Sequence, residues 1–356
     1  MRSSPMVRVT NTNHESIFTG LSHPLREAIF SVLTMRSSIR ITLVLLGCLS
    51  IAAPITHAQK KNSKPAAAVA PAADDKALKF LAIGDWGDNG QESQQAVANE
   101  MGKFNQEFEA KFVISTGDNF YCCGVASVDD PQWMSSYENV YRNHSLQIDW
   151  NVVLGNHDYQ GNPQAEIDYS KKSRRWIMPS RYYTQVKKVG KNATARFVYL
   201  DTNPFIDKYL KNPDNFDHIK SSAADAELAW LDSVLSNSKE TWKIVIGHHP
   251  VYSSGSEHGN QPELIARLEP VLEKYHVDAY FSGHEHDLQH QKRADGTVNY
   301  FVSGSGGEPR PTGKTETTKF SSDHPGFMAI TLKKDAMDVD AIDSKGKKLY
   351  STTLSK

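Results

Sequence analysis

Two hydrophobic rhythms alternate along this chain from position 79 onward. Near-continuous apolar runs occur at 79–83, 112–116, 150–154, 197–200, 242–246, 279–282 and 300–303; runs of this length read as strands buried on both faces. Between them, apolar residues recur every three or four positions. Val97, Met101, Phe104 and Phe108 share one helical face, as do Leu228, Leu231 and Leu235 behind Asp225, read as an N-cap. Leu264, Leu268, Val271 and Tyr275 form a third such face, which Pro270 is expected to kink or divide because it cannot donate a helical hydrogen bond. Strands alternating with helices make the domain α/β.

The pattern before position 79 is different. The apolar stretch 41–51 follows Arg36 and Arg40 and precedes Thr56-His57-Ala58, the layout of a secretory signal. It is too short for a membrane span, which takes about 20 apolar residues. Residues 1–58 are therefore expected to be an upstream extension and signal peptide, with Met35 as the physiological start. A less favoured reading takes Leu45-Leu46-Gly47-Cys48 as a lipobox, which would leave the protein anchored at Cys48. Residues 59–78, rich in Ala, Lys and Pro, read as a linker, and 79–356 as one folded domain. The expected location is outside the cytoplasm, periplasmic or secreted.

Composition narrows the function classes. The 356 residues carry 40 Lys plus Arg against 41 Asp plus Glu, so there is no basic excess of the kind that binds a nucleic-acid backbone. Hydrophobic residues at 39% suffice for a large core. The domain's two cysteines, Cys122 and Cys123, are adjacent; disulfide geometry favours well-separated Cα atoms, so no bridge is expected. They read as small buried hydrophobes, or alternatively as a redox-sensitive pair whose oxidation would shift Tyr121.

The chemistry is concentrated where the apolar runs stop. Gly84-Asp85-Trp86-Gly87, Gly117-Asp118-Asn119-Phe120-Tyr121, Gly155-Asn156-His157-Asp158, Gly247-His248-His249-Pro250 and Gly283-His284-Glu285-His286 each follow a predicted strand. Any one is an ordinary turn. Together they place oxygen and imidazole donors at the carboxyl ends of strands, where open α/β sheets bind ligands. Carboxylate, amide and imidazole without thiolate suit Zn, Mn or Fe. Asp85, Asp118, Tyr121, Asn156, His248, His284 and His286 supply enough donors for two ions if one carboxylate bridges. Two-metal sites of that kind belong to phosphatases, nucleases and related hydrolases.

These motifs resemble the metallophosphoesterases, and more narrowly the purple acid phosphatases of the short, tartrate-resistant type. Tyr121, three residues after Asp118, carries the narrower resemblance, which spans 79–356 and extends through Ile167-Asp168-Tyr169-Ser170-Lys171 and Glu257-His258-Gly259. The resemblance implies a four-layer α/β/β/α sandwich. It implies that Asp85, Tyr121 and His286 hold Fe(III), that Asp118 bridges, and that Asn156, His248 and His284 hold Fe(II), Zn or Mn. His248 rather than His249 would be the ligand. It also implies that a metal-bound hydroxide attacks a phosphomonoester, with His157 protonating the leaving oxygen and His258 as a second substrate-side histidine. A trivalent ion acidifies bound water more than a divalent one, so such chemistry suits acidic pH. The sequence departs from the mammalian pattern at Cys122, where that pattern has an aromatic residue.

The expected partners are small phosphate esters, without nucleic acid or an integral span, and the chain is taken as a monomer by default. A phosphodiesterase or nucleotide hydrolase on the same ligands is the alternative, and a binding protein on a retired metal scaffold is the rival from another class. Specificity is assigned to loops around 203–218 and 304–318. The basic run Lys171, Lys172, Arg174 and Arg175 reads as a solvated helix face, and Gly304-Ser305-Gly306-Gly307 as a turn.

Overall fold

The computed structural model describes residues 76–356 apart from Asp217 and Ser221. The expected signal peptide, the lipobox at Cys48, the start at Met35 and the linker up to position 75 lie outside the described residues. The chain first builds β1 (Leu78–Ile83), β2 (Phe112–Ser115), β3 (Asp149–Val152) and β4 (Trp176–Ile177). Helix α1 (Glu92–Phe108) lies between the first two of these strands, and α2 (Pro163–Tyr169) between the last two. There follow β5 (Tyr183–Val189), β6 (Ala193–Tyr199), β7 (Trp242–Ile246), β8 (Ala279–Ser282), β9 (Leu288–Gln291), β10 (Asn299–Ser303) and β11 (Thr318–Ser322). Helices α3 (Asp207–Leu210), α4 (Pro213–Phe216) and α5 (Ala223–Ser236) separate β6 from β7; α6 (Pro262–Arg267) and α7 (Glu269–Lys274) separate β7 from β8. The chain closes with β12 (Gly326–Leu332), β13 (Ala336–Asp343) and β14 (Lys348–Ser355).

Two seven-stranded mixed sheets result, ordered β14-β13-β12-β1-β2-β3-β4 and β11-β9-β10-β8-β7-β6-β5. In each, four consecutive strands are parallel: β1, β2, β3 and β4 in the first, β6, β7, β8 and β10 in the second. All of these except the two-residue β4 are strands that the apolar runs marked, and they are buried along most of their length, as strands covered on both faces are. The sheets pack through aromatic side chains from both. Phe80 stacks on Phe112 at 5.1 Å and meets Phe197 edge-on at 5.4 Å and Phe281 at 6.2 Å. This is the expected sandwich.

Four expectations need correction. Strand β1 begins at Leu78, paired with Leu332, so the linker ends before the boundary drawn at 78. Helix α5 starts at Ala223 with Ser222 at its N-cap; Asp225 sits inside the first turn and accepts from Arg267 at 2.6 Å instead of capping. The basic run follows the end of α2 and so is no helix face. Three of its members are exposed, whereas Arg175 is buried. Finally, Cys122 and Cys123 are bridged to each other and both are exposed, so they are not buried hydrophobes. Pro270 does divide its helix, into α6 and α7.

Beneath the site lies a second aromatic cluster. Trp86 donates its indole N–H to Ser115 Oγ at 2.8 Å and packs against Phe120, Tyr137, Tyr141, Trp150 and Trp176. Arg175 closes this cluster from below. Its guanidinium lies 4.5 Å over the Tyr137 ring, donates to Glu138 at 2.6 Å, and reaches the carbonyls of Tyr141 and Leu146 at 3.0 and 3.3 Å. Truncation would strand a partly buried carboxylate and two carbonyls, and such losses cost about 3–5 kcal/mol. Arg175→Ala is therefore expected to lower the unfolding free energy obtained from a urea titration by that much, and Arg175→Lys to recover little of it, because lysine cannot fork across three acceptors.

Candidate metal centre

Five parallel strands, β1, β2, β3, β7 and β8, deliver their donors to one edge of the sandwich, and the strand-following pattern has a steric cause. A Cβ on Gly155 would sit 2.1 Å from Asp118 Oδ1, and one on Gly283 would sit 2.2 Å from Asp85 Oδ2. Each glycine thus makes room for a carboxylate arriving from a neighbouring strand end. The donors sit on unusual backbone: Asp85, Asp118 and His284 have φ of 55°, 48° and 70°. L-residues occupy this region at a cost of about 1–2 kcal/mol each, and such strain concentrates at functional sites.

The seven predicted donor residues converge. Tyr121 Oη lies 3.2 Å from Asp85 Oδ1, 3.1 Å from Asp118 Oδ2 and 2.9 Å from His286 Nε2. One hydroxyl proton cannot serve three acceptors. His248 Nε2 lies 3.5 Å from Asp118 Oδ2, 3.3 Å from Asn156 Oδ1 and 3.2 Å from His284 Nδ1. Asp118 Oδ2 therefore belongs to both groups, while its Oδ1 accepts the His157 N–H at 2.8 Å.

Main-chain carbonyls aim the imidazoles. His248 donates Nδ1–H to Thr116 O at 2.9 Å and His286 donates to Glu308 O at 2.7 Å, so both turn Nε2 toward the carboxylates. This is the arrangement by which backbone fixes the tautomer of a ligating histidine. His249 is packed close to His248 and His284, yet its two ring nitrogens are engaged by Thr202 Oγ1 at 2.8 Å and Tyr209 Oη at 3.0 Å. That distinguishes it from His248.

The electrostatics call for cations. Burial raises Asp85 well above the ordinary carboxylate range. Burial also works on Asp118, but the His248 imidazolium outweighs it and holds the carboxyl below that range. The reverse holds for His248: burial opposes its charge, and Asp118 wins, lifting it to about 9. Burial and the neighbouring imidazoles push His284 well below its usual value, and its Nε2 is buried without a hydrogen-bond partner. Two carboxylates, an amide oxygen, a phenol whose one proton faces three acceptors, and the His248 Nε2 and His284 Nδ1 atoms 3.2 Å apart together fit a pair of hard or borderline cations.

Supporting residues hold the loops. Asp158 accepts the N–H groups of Gly155, Asn119 and Phe120 at 2.7, 2.9 and 3.1 Å, while burial lifts its own pKa to about 7. Glu285 accepts from the His258 and Gly259 N–H groups at 2.9 and 2.7 Å, which fixes His258 with its ring stacked 4.1 Å from His284. Sequence reasoning passed over both acids, although each lies inside a donor motif and is flanked by histidine.

Two recesses open on the cluster. One, of about 360 Å³, is lined by Tyr121, Cys122, His157, His286, Glu308 and Arg310 among others. The second, of about 320 Å³, is lined by Asp118, Asn156, His157, Lys208, His258, His284 and Arg310 among others. His157 and Arg310 border both. The loops expected to carry specificity supply Lys208, Tyr209 and Phe216 from one side and Glu308 and Arg310 from the other. Arg310 had no signal in the sequence beyond its place in that loop.

Residues 78–288 match the calcineurin-like phosphoesterase family. Among curated proteins, purple acid phosphatase 4 of Arabidopsis thaliana is 36% identical over 294 residues, covering 79% of this chain and 85% of the relative. Tartrate-resistant acid phosphatase type 5 of Homo sapiens is 34% identical over 300 residues, covering 78% and 91%. Among solved structures, GAP50, the anchor in the inner membrane complex of Plasmodium, aligns with a TM-score of 0.67 at 27% identity, covering 78% of this chain and 89% of its own. The lupin seed purple acid phosphatase PPD1 shares the fold at 0.59 and 15% identity, over 79% of this chain and 54% of its own. The match across the family domain and the extent of identity to the plant and mammalian enzymes show that the chain belongs to the purple acid phosphatases, metallophosphoesterases that hydrolyse phosphate esters at a binuclear metal centre.

Proposed function

We propose that this chain is an exported acid phosphatase for small phosphomonoesters, with Asp85, Tyr121 and His286 holding Fe(III), Asn156, His248 and His284 holding Fe(II), Zn or Mn, and Asp118 bridging. The observation that carries the ligand assignment is Asp118 Oδ2, 3.1 Å from Tyr121 Oη and 3.5 Å from His248 Nε2. The two cations supply positive charge against the phosphoryl oxygens and acidify water beside them.

The chain's own residues do the rest. Lys208 and Arg310 border the second recess and attract an anionic ester. His157 donates Nδ1–H to the Cys122 carbonyl at 2.6 Å, which leaves Nε2 to hand a proton to the departing alcohol. His258, lowered to about 4 by burial and by the Lys208 and Arg310 charges, is neutral at pH 5–7. It therefore serves as a hydrogen-bond partner in the second recess and leaves the acid role to His157. The phosphodiesterase alternative uses the same donors. The non-catalytic reading gains one point from GAP50, an anchor protein of similar fold, but the complete donor set in this chain favours turnover.

Iron-loaded protein is expected to show a broad visible absorption band that disappears in Tyr121→Phe. A colourless wild type carrying only Zn or Mn would remove iron from the first site. His157→Ala should lower kcat about 100-fold or more for an alkyl phosphate and far less for p-nitrophenyl phosphate, whose leaving group needs no proton; equal losses would remove the acid role. For export, N-terminal sequencing of protein from the native host is expected to find a start near Gln59, and intact residues 1–34 would exclude both processing and the Met35 start.

A further inference from the structure

The disulfide on the cleft wall has no part in the chemistry above. Cys122 Sγ and Cys123 Sγ are bonded to each other, both residues are exposed, and Cys122 lines the recess that also contains Tyr121, His157 and His286. Fold stability does not account for it. A disulfide stabilises chiefly by closing a loop in the unfolded chain, an effect that grows with loop length, and this one spans a sequence separation of 1.

Its position ties it to the reacting groups on both sides. Tyr121, immediately before it, places its hydroxyl among Asp85, Asp118 and His286. The carbonyl of Cys122 accepts the His157 Nδ1–H at 2.6 Å, and the His157 ring lies 4.5 Å from the Tyr121 ring. The carbonyl of Cys123 lies so close to Gly161 that a Cβ there would come within 2.7 Å of it. The bridged pair is thus wedged between the Tyr121 side chain and the loop that carries His157.

We infer that Cys122–Cys123 is a thiol–disulfide exchange site, and that a dithiol reductant reaching the cleft lowers the phosphatase rate by releasing the acceptor that orients His157. The inference rests on the reading of His157 as the acid. In the exchange, a thiolate of the dithiol attacks one bridge sulfur. The S–S bond breaks, and the other cysteine leaves as a thiolate that takes up a proton. The second thiol of the reductant then attacks the mixed disulfide and releases the remaining cysteine. Two electrons and two protons pass to the cysteine pair, and the reductant departs as its own disulfide. Once open, the two residues regain conformational freedom that the bridge had removed, and the Cys122 carbonyl is no longer pinned against His157.

The test uses the metal-loaded full chain in buffers of graded reduced and oxidised dithiothreitol. Alkylation and mass spectrometry count free thiols while kcat is read on an alkyl phosphate and on p-nitrophenyl phosphate. As two thiols appear, kcat for the alkyl phosphate should fall by about 10-fold, part of the ~100-fold or more that a positioned acid supplies, with a smaller fall for the aryl ester and recovery on reoxidation. A Cys122→Ser/Cys123→Ser variant should start at the lower rate and ignore the reductant. Unchanged kcat with both thiols alkylated would overturn the inference. So would a double variant that responds as the wild type does, since the metals and not the cysteines would then be sensing the thiol. Failure of the acid reading is separable: it leaves His157→Ala unimpaired, whereas failure here leaves His157→Ala slow and the reduced wild type fast.

Discussion

Two buried carboxylates at neighbouring strand ends set the terms for everything else in this protein. Asp85 and Asp118 are 0% and 2% exposed and share the Tyr121 hydroxyl between them. Isolated charges are not tolerated at that depth without compensating positive charge or protons. Around them the fold brings histidines whose tautomers are set by carbonyls, strand-end glycines cut back to leave room, and left-handed backbone where a regular strand would have carried the side chain away. None of these features serves packing. They make sense as a frame holding negative charge in place for cations, and the frame lies within the polypeptide itself, in hydrogen bonds to Thr116 O and Glu308 O.

The division of labour between the two sheets follows from that requirement. Asp85, Asp118 and Asn156 come from the ends of one sheet's parallel strands, and His248, His284 and His286 from the other's. Carboxylate and amide oxygens thus face imidazole donors across the join, and the cluster of Asp85, Asp118 and His248 draws on both sheets. The aromatic packing of Phe80 and Phe112 against Phe197 and Phe281 is accordingly as much a part of the metal centre as any ligand, because it fixes the distance between the two donor sets.

The parts of this design that were legible in the sequence share one property: burial on both faces. Strands such as β7 and β8 are near-continuous apolar runs, and their polar terminators stood out against them. Strands β13 and β14, with one wet face, alternate too weakly for that test; β14 reads Lys-Leu-Tyr-Ser-Thr-Thr-Leu-Ser. Arg175 was misjudged because its partners, Glu138 and two carbonyls, come from a segment 29–37 residues earlier. The cysteines were misjudged because the general preference for separated Cα atoms says nothing about a pair whose backbone turns back on itself. Glu285 and Asp158 were in view but had no rhythm to mark them, since an acid that accepts backbone N–H groups has no spacing rule.

Strand order carries a further implication. The first strand among the described residues, β1, is hydrogen-bonded to β12, with Leu78 opposite Leu332, and β12 is completed only when nearly the whole chain exists. Until then one edge of the strand that bears Asp85 is open, and the acidic half of the metal centre has no finished sheet to stand on. A domain wired in this way cannot mature progressively as it leaves the ribosome. Its first sheet is completed only when the last few dozen residues arrive, so pairing of β1 with β12 is a late and long-range step in folding.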